Sequence, residues 1–144
     1  MKKLLFYIGI TLLIGGLPGI SVAINNTYET LNKPPLSPPG ILFPIVWTIL
    51  FILMGISVYL VRDNKDAVKA YFIQLIVNAL WTPIFFLLNA YLLAFIWLII
   101  LIVLVVIMLD KFKEINKTSV YLNIPYVIWL LFALYLNAGI FLLN

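Results

Sequence analysis

The sequence predicts an all-α membrane protein: a bundle of five transmembrane helices with a proline-rich loop between helices 1 and 2. Three observations support this fold class. Apolar residues make up 65% of the 144-residue chain and charged residues 10%, with a mean hydropathy of +1.19, whereas soluble domains are nearer half apolar and a quarter charged. The apolar residues form five long runs. Most charged residues lie between those runs, as do four prolines clustered at 34–39.

Each apolar run is long enough for one helix across a bilayer, because about 20 residues at about 1.5 Å per residue cross about 30 Å of hydrocarbon. The third and fourth runs are separated only by Asn89 and Ala90, which predicts a tight helical hairpin. No internal repeat is evident, so residues 1–144 are interpreted as a single domain. The predicted helices span about 4–24, 41–61, 70–88, 91–109 and 120–143.

The first run has a second interpretation as a cleaved secretory signal. Lys2 and Lys3 precede an apolar core, and Ser21-Val22-Ala23 resembles a cleavage site. The run of about twenty residues is longer than a usual signal core, which favours a retained helix. Cleavage within residues 1–23 would leave the orientation of the other helices unchanged.

The distribution of Lys and Arg predicts the orientation in the membrane. With five spans, the amino terminus and the loops 62–69 and 110–119 share one side, and the other side carries only Lys33. By the positive-inside rule the amino terminus is cytoplasmic, and the proline-rich loop and carboxyl terminus lie outside a bacterial cell membrane. The eight cations of the first side are Lys2, Lys3, Arg62, Lys65, Lys69, Lys111, Lys113 and Lys117.

The composition excludes several classes of function. The chain has no cysteine and no histidine, so we expect no disulfide, no metal centre, no bound cofactor and no cysteine or histidine catalysis. The predicted spans contain no ionisable Asp, Glu, Lys, Arg or His, which argues against a proton- or ion-coupled transporter. The basic residues follow the membrane borders, so nucleic acid is not an expected partner.

Uncharged polar residues form a stripe on the third predicted helix. Gln74, Asn78 and Thr82 repeat every four residues, and Phe85 continues the same face. Amides at membrane depth commonly form hydrogen bonds between helices. Alternatively, the stripe lines a ligand cavity, which a kink at Pro83 would widen. The sequence leaves both interpretations open.

Three of the four tryptophans lie deeper than an interfacial belt requires. Trp81 and Trp129 fall near the middle of their runs, and Trp47 lies about two turns inside its own. Ala133 follows Trp129 on the same helical face, where a small side chain leaves room beside the indole. Each tryptophan alone is consistent with core packing, but together they indicate a pocket with aromatic walls.

The loop before the second helix is rich in proline. The stretch 28–47 reads YETLNKPPLSPPGILFPIVW and holds five of the eight prolines. Proline fixes its own φ and restricts the residue before it, so this segment is predicted to be extended and stiff. It is interpreted either as a preformed lid over a cavity or as a short rigid connector.

These residues together resemble the TspO/translocator protein family, also called tryptophan-rich sensory proteins or peripheral-type benzodiazepine receptors. The resemblance covers essentially the whole chain, in order. The matching pieces are Tyr28 with Lys33-Pro34-Pro35 and Pro38-Pro39-Gly40; Phe43-Pro44 with Trp47; Gln74, Asn78 and Trp81 with Phe85-Phe86; and Pro125-Tyr126 with Trp129, Ala133 and Asn137.

The resemblance implies a five-helix bundle in the lipid bilayer, often a homodimer, with a ligand cavity open toward the first loop. It also implies binding of porphyrins such as protoporphyrin IX and of synthetic benzodiazepine-receptor-type ligands. Light-dependent degradation of the porphyrin is implied for some bacterial members, with Trp47 and Trp129 as the photochemical pair. The ligand-binding residues carried over are Tyr28, Pro38, Trp47, Asn78, Thr82, Phe85, Trp129 and Ala133.

The resemblance leaves two alternative functions open, a tetrapyrrole transport protein and a ligand-sensing regulator that acts through a partner. Lys33 also has two interpretations: it is the cation that meets a porphyrin propionate at the cavity mouth, or it is simply a solvated loop residue or a partner of Glu29. This chain has Thr27 and Leu36 where many relatives carry tryptophan, so the mouth of its pocket is expected to be less aromatic.

Overall fold

The structure is a computed structural model, and it describes residues 1–19 and 27–144. The described residues form α-helices and one short 3-10 helix, with no strand among them. This confirms the prediction of an all-α protein. The helices are α1 (Lys2–Gly16), α2 (Leu42–Leu60), α3 (Lys65–Phe86), α4 (Tyr91–Lys113), α5 (Lys117–Leu122) and α6 (Ile124–Leu143), with the 3-10 helix at Thr27–Thr30.

Four helical segments within the described residues are long and apolar enough to cross a membrane. They are Leu42–Leu60, Lys65–Phe86, Tyr91–Lys113 and Lys117–Leu143, the last comprising α5 and α6 together. With α1 as a fifth helix, the architecture is consistent with the predicted five-helix bundle. Many isoleucines, leucines and valines stay exposed on the outside of the bundle, as expected where lipid rather than water is the solvent.

The first helix is shorter than the predicted 4–24. It ends at Gly16 and is followed by a turn at Leu17 and Pro18, because proline has no N–H to continue the helical hydrogen bonds. The predicted continuation at 20–24 lies outside the described residues.

The third and fourth helices extend further into the charged connections than the apolar runs indicate. The third begins at Lys65 rather than 70, because the Asn64 side chain caps it by accepting from the Ala67 N–H at 3.0 Å. It ends at Phe86, and the fourth continues from Tyr91 to Lys113. A run of apolar residues indicates only the part of a helix that lies in hydrocarbon, so a polar first or last turn is not detected from hydropathy.

The fifth predicted run, 120–143, is interrupted near its start. Helix α5 ends at Leu122, and α6 begins at Ile124, with Pro125 in its first turn. Pro125 cannot donate a hydrogen bond to the preceding turn. The Asn123 side chain at the junction instead donates to the Ser119 carbonyl at 2.8 Å.

The helices pack so that α6 lies against three neighbours. Trp47 on α2 meets Trp129 on α6, α3 is hydrogen-bonded to α6 through Asn78, and α4 packs along α6. Helix α1 packs mainly on α2 and also reaches α3, where Thr11 Oγ1 lies 2.5 Å from the Tyr71 hydroxyl. The carboxyl-terminal end of α6 lies beside the proline-rich segment, where the Asn144 side chain donates to the Asn32 carbonyl at 2.8 Å.

Close packing of α1 on α2 requires glycine at position 55. A Cβ there would lie 2.7 Å from Ile8 Cα and 3.0 Å from Ile8 N, which are backbone atoms that cannot turn aside. Gly9 on α1 offers a matched comparison, because a Cβ at that position meets nothing within 4 Å.

We therefore expect Gly55→Ala and Gly9→Ala to shift the Tm in detergent in different directions. Both gain about 0.5–1 kcal/mol of helix propensity, but Gly55→Ala also pays an overpacking cost of about 1–3 kcal/mol. Thermal unfolding should show a lower Tm for Gly55→Ala and an unchanged or higher Tm for Gly9→Ala. Equal shifts would contradict the close approach of α1 and α2.

Candidate ligand pocket

An aromatic pocket lies between α2, α3 and α6, beneath the segment that precedes α2. Three of the four tryptophans contribute to its wall, together with phenylalanine and tyrosine rings. Its free volume is about 10 Å³, roughly the space of one water molecule. The residues that line it are Tyr28, Phe43, Trp47, Trp81, Phe85, Phe86, Trp129, Ala133, Leu136 and Asn137.

The rings of the pocket wall contact one another in sequence around it. Trp47 and Trp129 meet edge to face with centroids 6.5 Å apart. Trp81 stacks on Phe85 at 5.1 Å. Tyr28 closes the other side through an edge contact with Phe43 at 5.0 Å. Such edge and offset contacts are the favoured arrangements of aromatic rings, so the closed pocket is itself a packed state.

The indole N–H of Trp129 is a buried donor at this pocket. Within the described part of the chain it meets no acceptor. The indole N–H of Trp81 differs, since it donates to Asn137 Oδ1 at 3.2 Å. A buried donor without a partner costs about 1–3 kcal/mol, which an acceptor atom on a ligand would recover.

Two hydrogen-bonded groups hold α6 in place on either side of the pocket. The Tyr126 hydroxyl donates to Gln74 Oε1 at 2.8 Å and accepts from Asn78 Nδ2 at 2.7 Å. Further along α6, Asn137 accepts from Trp81 and donates to the Tyr91 carbonyl at 2.9 Å. All these side chains except Tyr91 are buried. We call the first group the Tyr126 junction and the second the Asn137 junction.

The segment at 28–40, which we call the roof, is held by hydrogen bonds within itself and to α6. The Tyr28 hydroxyl donates to the Pro38 carbonyl at 2.6 Å. Burial, with the neighbouring Glu29 charge adding to it, raises the pKa of Tyr28 to about 12, so the phenol stays protonated as a donor at neutral pH. The Tyr135 hydroxyl on α6 donates to the Pro35 carbonyl at 2.6 Å.

The roof also approaches α6 at a glycine. A Cβ on Gly139 would overlap Pro34 Cγ and lie 2.6 Å from Pro34 Cβ. After Pro34 and Pro35 the chain turns through Leu36, which has a positive φ of 70° and an exposed side chain. A leucine is strained in that region. The roof therefore packs closely on α6 at Pro34 and has a strained backbone at Leu36.

Lys33 contacts Tyr28 rather than Glu29. Its ammonium donates to the Tyr28 carbonyl at 3.1 Å and lies 4.7 Å from the centre of the Tyr28 ring. The Glu29 carboxylate instead accepts from the Gly40 N–H at 3.1 Å. Among the described residues, Lys33 is therefore not paired with Glu29, and its role toward a ligand stays a prediction.

The structure brings five of the eight predicted ligand-binding residues together in one pocket lining: Tyr28, Trp47, Phe85, Trp129 and Ala133. The other three lie nearby in different settings. Pro38 accepts the Tyr28 hydroxyl, Asn78 is bonded to Tyr126, and Thr82 is half-buried outside the lining. For Gln74 and Asn78, the interhelical hydrogen bonds of the first interpretation are what the structure shows. The Gln74 side-chain N–H₂ is buried without an acceptor among the described residues.

Trp81 was predicted as part of an aromatic pocket wall but not among the ligand-binding residues, and the lining residues Phe43, Phe86, Leu136 and Asn137 were not predicted as ligand-binding either. Helical spacing could have indicated most of them. Phe43 precedes Trp47 by four residues, and Asn137 follows Ala133 by four, so each pair shares a helical face.

A family model described as the TspO/MBR family matches residues 7–143 of the chain. The chain belongs to the TspO/MBR family. This confirms the resemblance inferred from the sequence, and it supports assignment of the chain as an integral membrane protein with apolar helices.

Curated relatives of this TspO/MBR family member show the same affiliation. The tryptophan-rich protein TspO of Chlorobaculum tepidum is 36% identical over 124 residues, covering 81% of this chain and 78% of the relative. Protein CrtK of Rhodobacter capsulatus is 37% identical over the same length, with the same coverage. The translocator protein of Ovis aries is 30% identical over 118 residues, covering 76% and 70%.

The Tyr126 junction yields a prediction about stability. Tyr126→Phe removes two interhelical hydrogen bonds that average about 0.6 kcal/mol each in membrane proteins, so it should destabilise the bundle by about 1–2 kcal/mol and lower the Tm in detergent. Tyr121→Phe, at a side chain 63% exposed, is the control and should leave the Tm unchanged. Equal Tm values for the two variants would show that the junction does not hold α3 to α6.

Proposed function

We propose that this TspO/MBR family member is a membrane receptor for porphyrins such as protoporphyrin IX and for related flat hydrophobic ligands, including synthetic benzodiazepine-receptor-type compounds. The observation that carries the proposal is the convergence of Trp47, Trp81 and Trp129 on one pocket under the roof. Flat aromatic walls suit a flat macrocycle, because offset and edge contacts between rings add about 0.5–1.5 kcal/mol beyond area burial.

The polar groups of the pocket suit the same ligand class. The N–H of Trp129, which meets no acceptor in the described part of the chain, offers one donor to a ligand acceptor. Lys33, half-buried at the roof, offers a cation to a carboxylate such as a propionate. The chain contains neither histidine nor cysteine, which are the usual axial ligands of haem iron. Metal-free porphyrin is therefore the preferred form.

Binding requires the pocket to open. Its free volume of about 10 Å³ is far below the roughly 300–1,000 Å³ of sites for drug-sized ligands. Helices α3, α4 and α6 are tied by the Tyr126 and Asn137 junctions. The roof is held by hydrogen bonds at its exposed edge, those of Tyr135 to Pro35 and of Asn144 to Asn32. We infer that the roof moves away from the pocket to admit the ligand, whereas α3, α4 and α6 keep their positions.

The orientation follows from the charge distribution. The side that carries eight of the nine cations is assigned to the cytoplasm, so the roof and the carboxyl terminus face outward from a bacterial cell membrane. A homodimer, expected from the resemblance, stays a prediction.

The first test of the proposal is the affinity for protoporphyrin IX. Trp47→Phe and Trp129→Phe should weaken binding, because each removes ring area and Trp129→Phe also removes the free donor. Trp97→Phe is the matched control, since Trp97 lies on α4 and donates to the Val77 carbonyl at 2.7 Å, outside the pocket lining. Porphyrin absorbance titrations in detergent measure all three, beside haem and cholesterol as comparison ligands. If the three variants bind protoporphyrin IX with the same affinity, the proposal is wrong.

A second test addresses the roof. Gly139→Ala places a methyl group against Pro34, so it should lift the roof and raise the rates of porphyrin association and dissociation. Gly16→Ala, where a Cβ meets nothing within 4 Å, is the control. Stopped-flow porphyrin fluorescence measures both rates. Unchanged rates in Gly139→Ala would show that the ligand enters by another route.

The contact between Trp47 and Trp129 favours a second activity, light- and oxygen-dependent degradation of bound protoporphyrin IX. The two indole centroids lie 6.5 Å apart and both rings line the pocket, so either ring can donate an electron to an excited porphyrin beside it. The reduced porphyrin passes that electron to dioxygen and forms superoxide. The oxidised indole then regains an electron from the porphyrin, which combines with superoxide to give the oxygenated product. The double variant Trp47→Phe/Trp129→Phe should slow porphyrin loss under illumination at saturating ligand, whereas Trp97→Phe should not. Decay in the double variant at the wild-type rate would exclude this role.

A further inference from the structure

A second cavity lies between α3 and α4, at the end of this helical hairpin that is far from the turn joining the two helices. It is a crevice of about 270 Å³ between the first two turns of α3 and the last turns of α4. It shares no residue with the aromatic pocket. The residues that line this crevice are Asp66, Lys69, Ala70, Ile73, Leu104, Ile107 and Lys111.

The inner part of the crevice is apolar and opens to the outside of the bundle. Ile73 is 43% exposed and Ile107 is 47% exposed. In a transmembrane hairpin, exposed isoleucines at this depth face acyl chains rather than water. Ala70 is small and half-buried, so it leaves a recess between the two helices. The walls therefore suit an alkyl chain lying along α3 and α4.

The outer part of the crevice carries two cations that contact no anion among the described residues. Lys69 lies on α3 and Lys111 on α4, and both are exposed. Within residues 1–19 and 27–144 the ion pair present is Lys113 with Asp110, at 3.0 Å. Asp66 is the one carboxylate in the lining, so the formal charge at the rim is +1. This charge lies where hydrocarbon gives way to headgroups.

We propose that the crevice binds one anionic phospholipid, with its phosphate between Lys69 and Lys111 and an acyl chain along Ile73 and Leu104. Basic crevices between transmembrane helices suit acidic headgroups, and the attraction is largest on the side that carries the positive charges. A zwitterionic lipid has a similar apolar part but no net charge to match the rim. The proposal does not depend on what the aromatic pocket binds.

The test compares phosphatidylglycerol with phosphatidylcholine of the same acyl chains, added to delipidated protein in detergent and counted by native mass spectrometry. The wild type should retain phosphatidylglycerol preferentially. The variant Lys69→Gln/Lys111→Gln should lose about 25-fold in affinity for it, at about fivefold for each lysine near an anionic headgroup, while its affinity for phosphatidylcholine stays the same.

Two further variants separate the crevice from general surface charge. Lys2→Gln/Lys3→Gln removes the same charge at the exposed start of α1 and should behave as the wild type. Asp66→Asn removes the carboxylate from the rim and should raise the affinity for phosphatidylglycerol. Equal losses in the two double variants, or no preference for phosphatidylglycerol in the wild type, would overturn the proposal.

Discussion

Two polar side chains on one helix determine how the rest of this bundle is arranged. Tyr126 and Asn137 on α6 bind α3 and α4 through buried hydrogen bonds. In hydrocarbon such groups cannot form hydrogen bonds with water, so each needs a hydrogen-bond partner inside the protein. Eleven residues separate them, about 16 Å at about 1.5 Å per residue. Trp129 and Ala133 fall between them, and the aromatic pocket lies in that interval.

This arrangement assigns different roles to the helices and to the roof. The helices around the pocket are joined by buried hydrogen bonds, whereas the hydrogen bonds from α6 and the carboxyl terminus to the roof lie at its exposed edge, and the roof contains a strained leucine. In the function we propose, a closed, ring-packed pocket with about 10 Å³ of free space admits a large flat ligand by displacement of the roof alone. The proline content limits the number of conformations the displaced roof can adopt, which lowers the entropic cost of closing again.

The sequence predicted the helical class, the membrane location and the family, because hydropathy and motif order report them directly. Helix ends were predicted less well. Polar caps such as Asn64 extend a helix beyond its apolar run, and Pro125 interrupts one that hydropathy shows as continuous. Gln74 and Asn78 show the other limit. Their spacing revealed a shared face, but the choice between a cavity wall and an interhelical bond depended on the position of Tyr126, on another helix.

The central claim is that a porphyrin binds between Trp47 and Trp129 after the roof moves. An experimental structure of the protein with protoporphyrin IX tests it most directly. We expect the macrocycle to lie between these indoles, the Tyr135–Pro35 hydrogen bond to be broken, and the Tyr126 and Asn137 junctions to be intact. A porphyrin bound on the outer surface of the bundle, with the roof in place and the pocket closed, would contradict it.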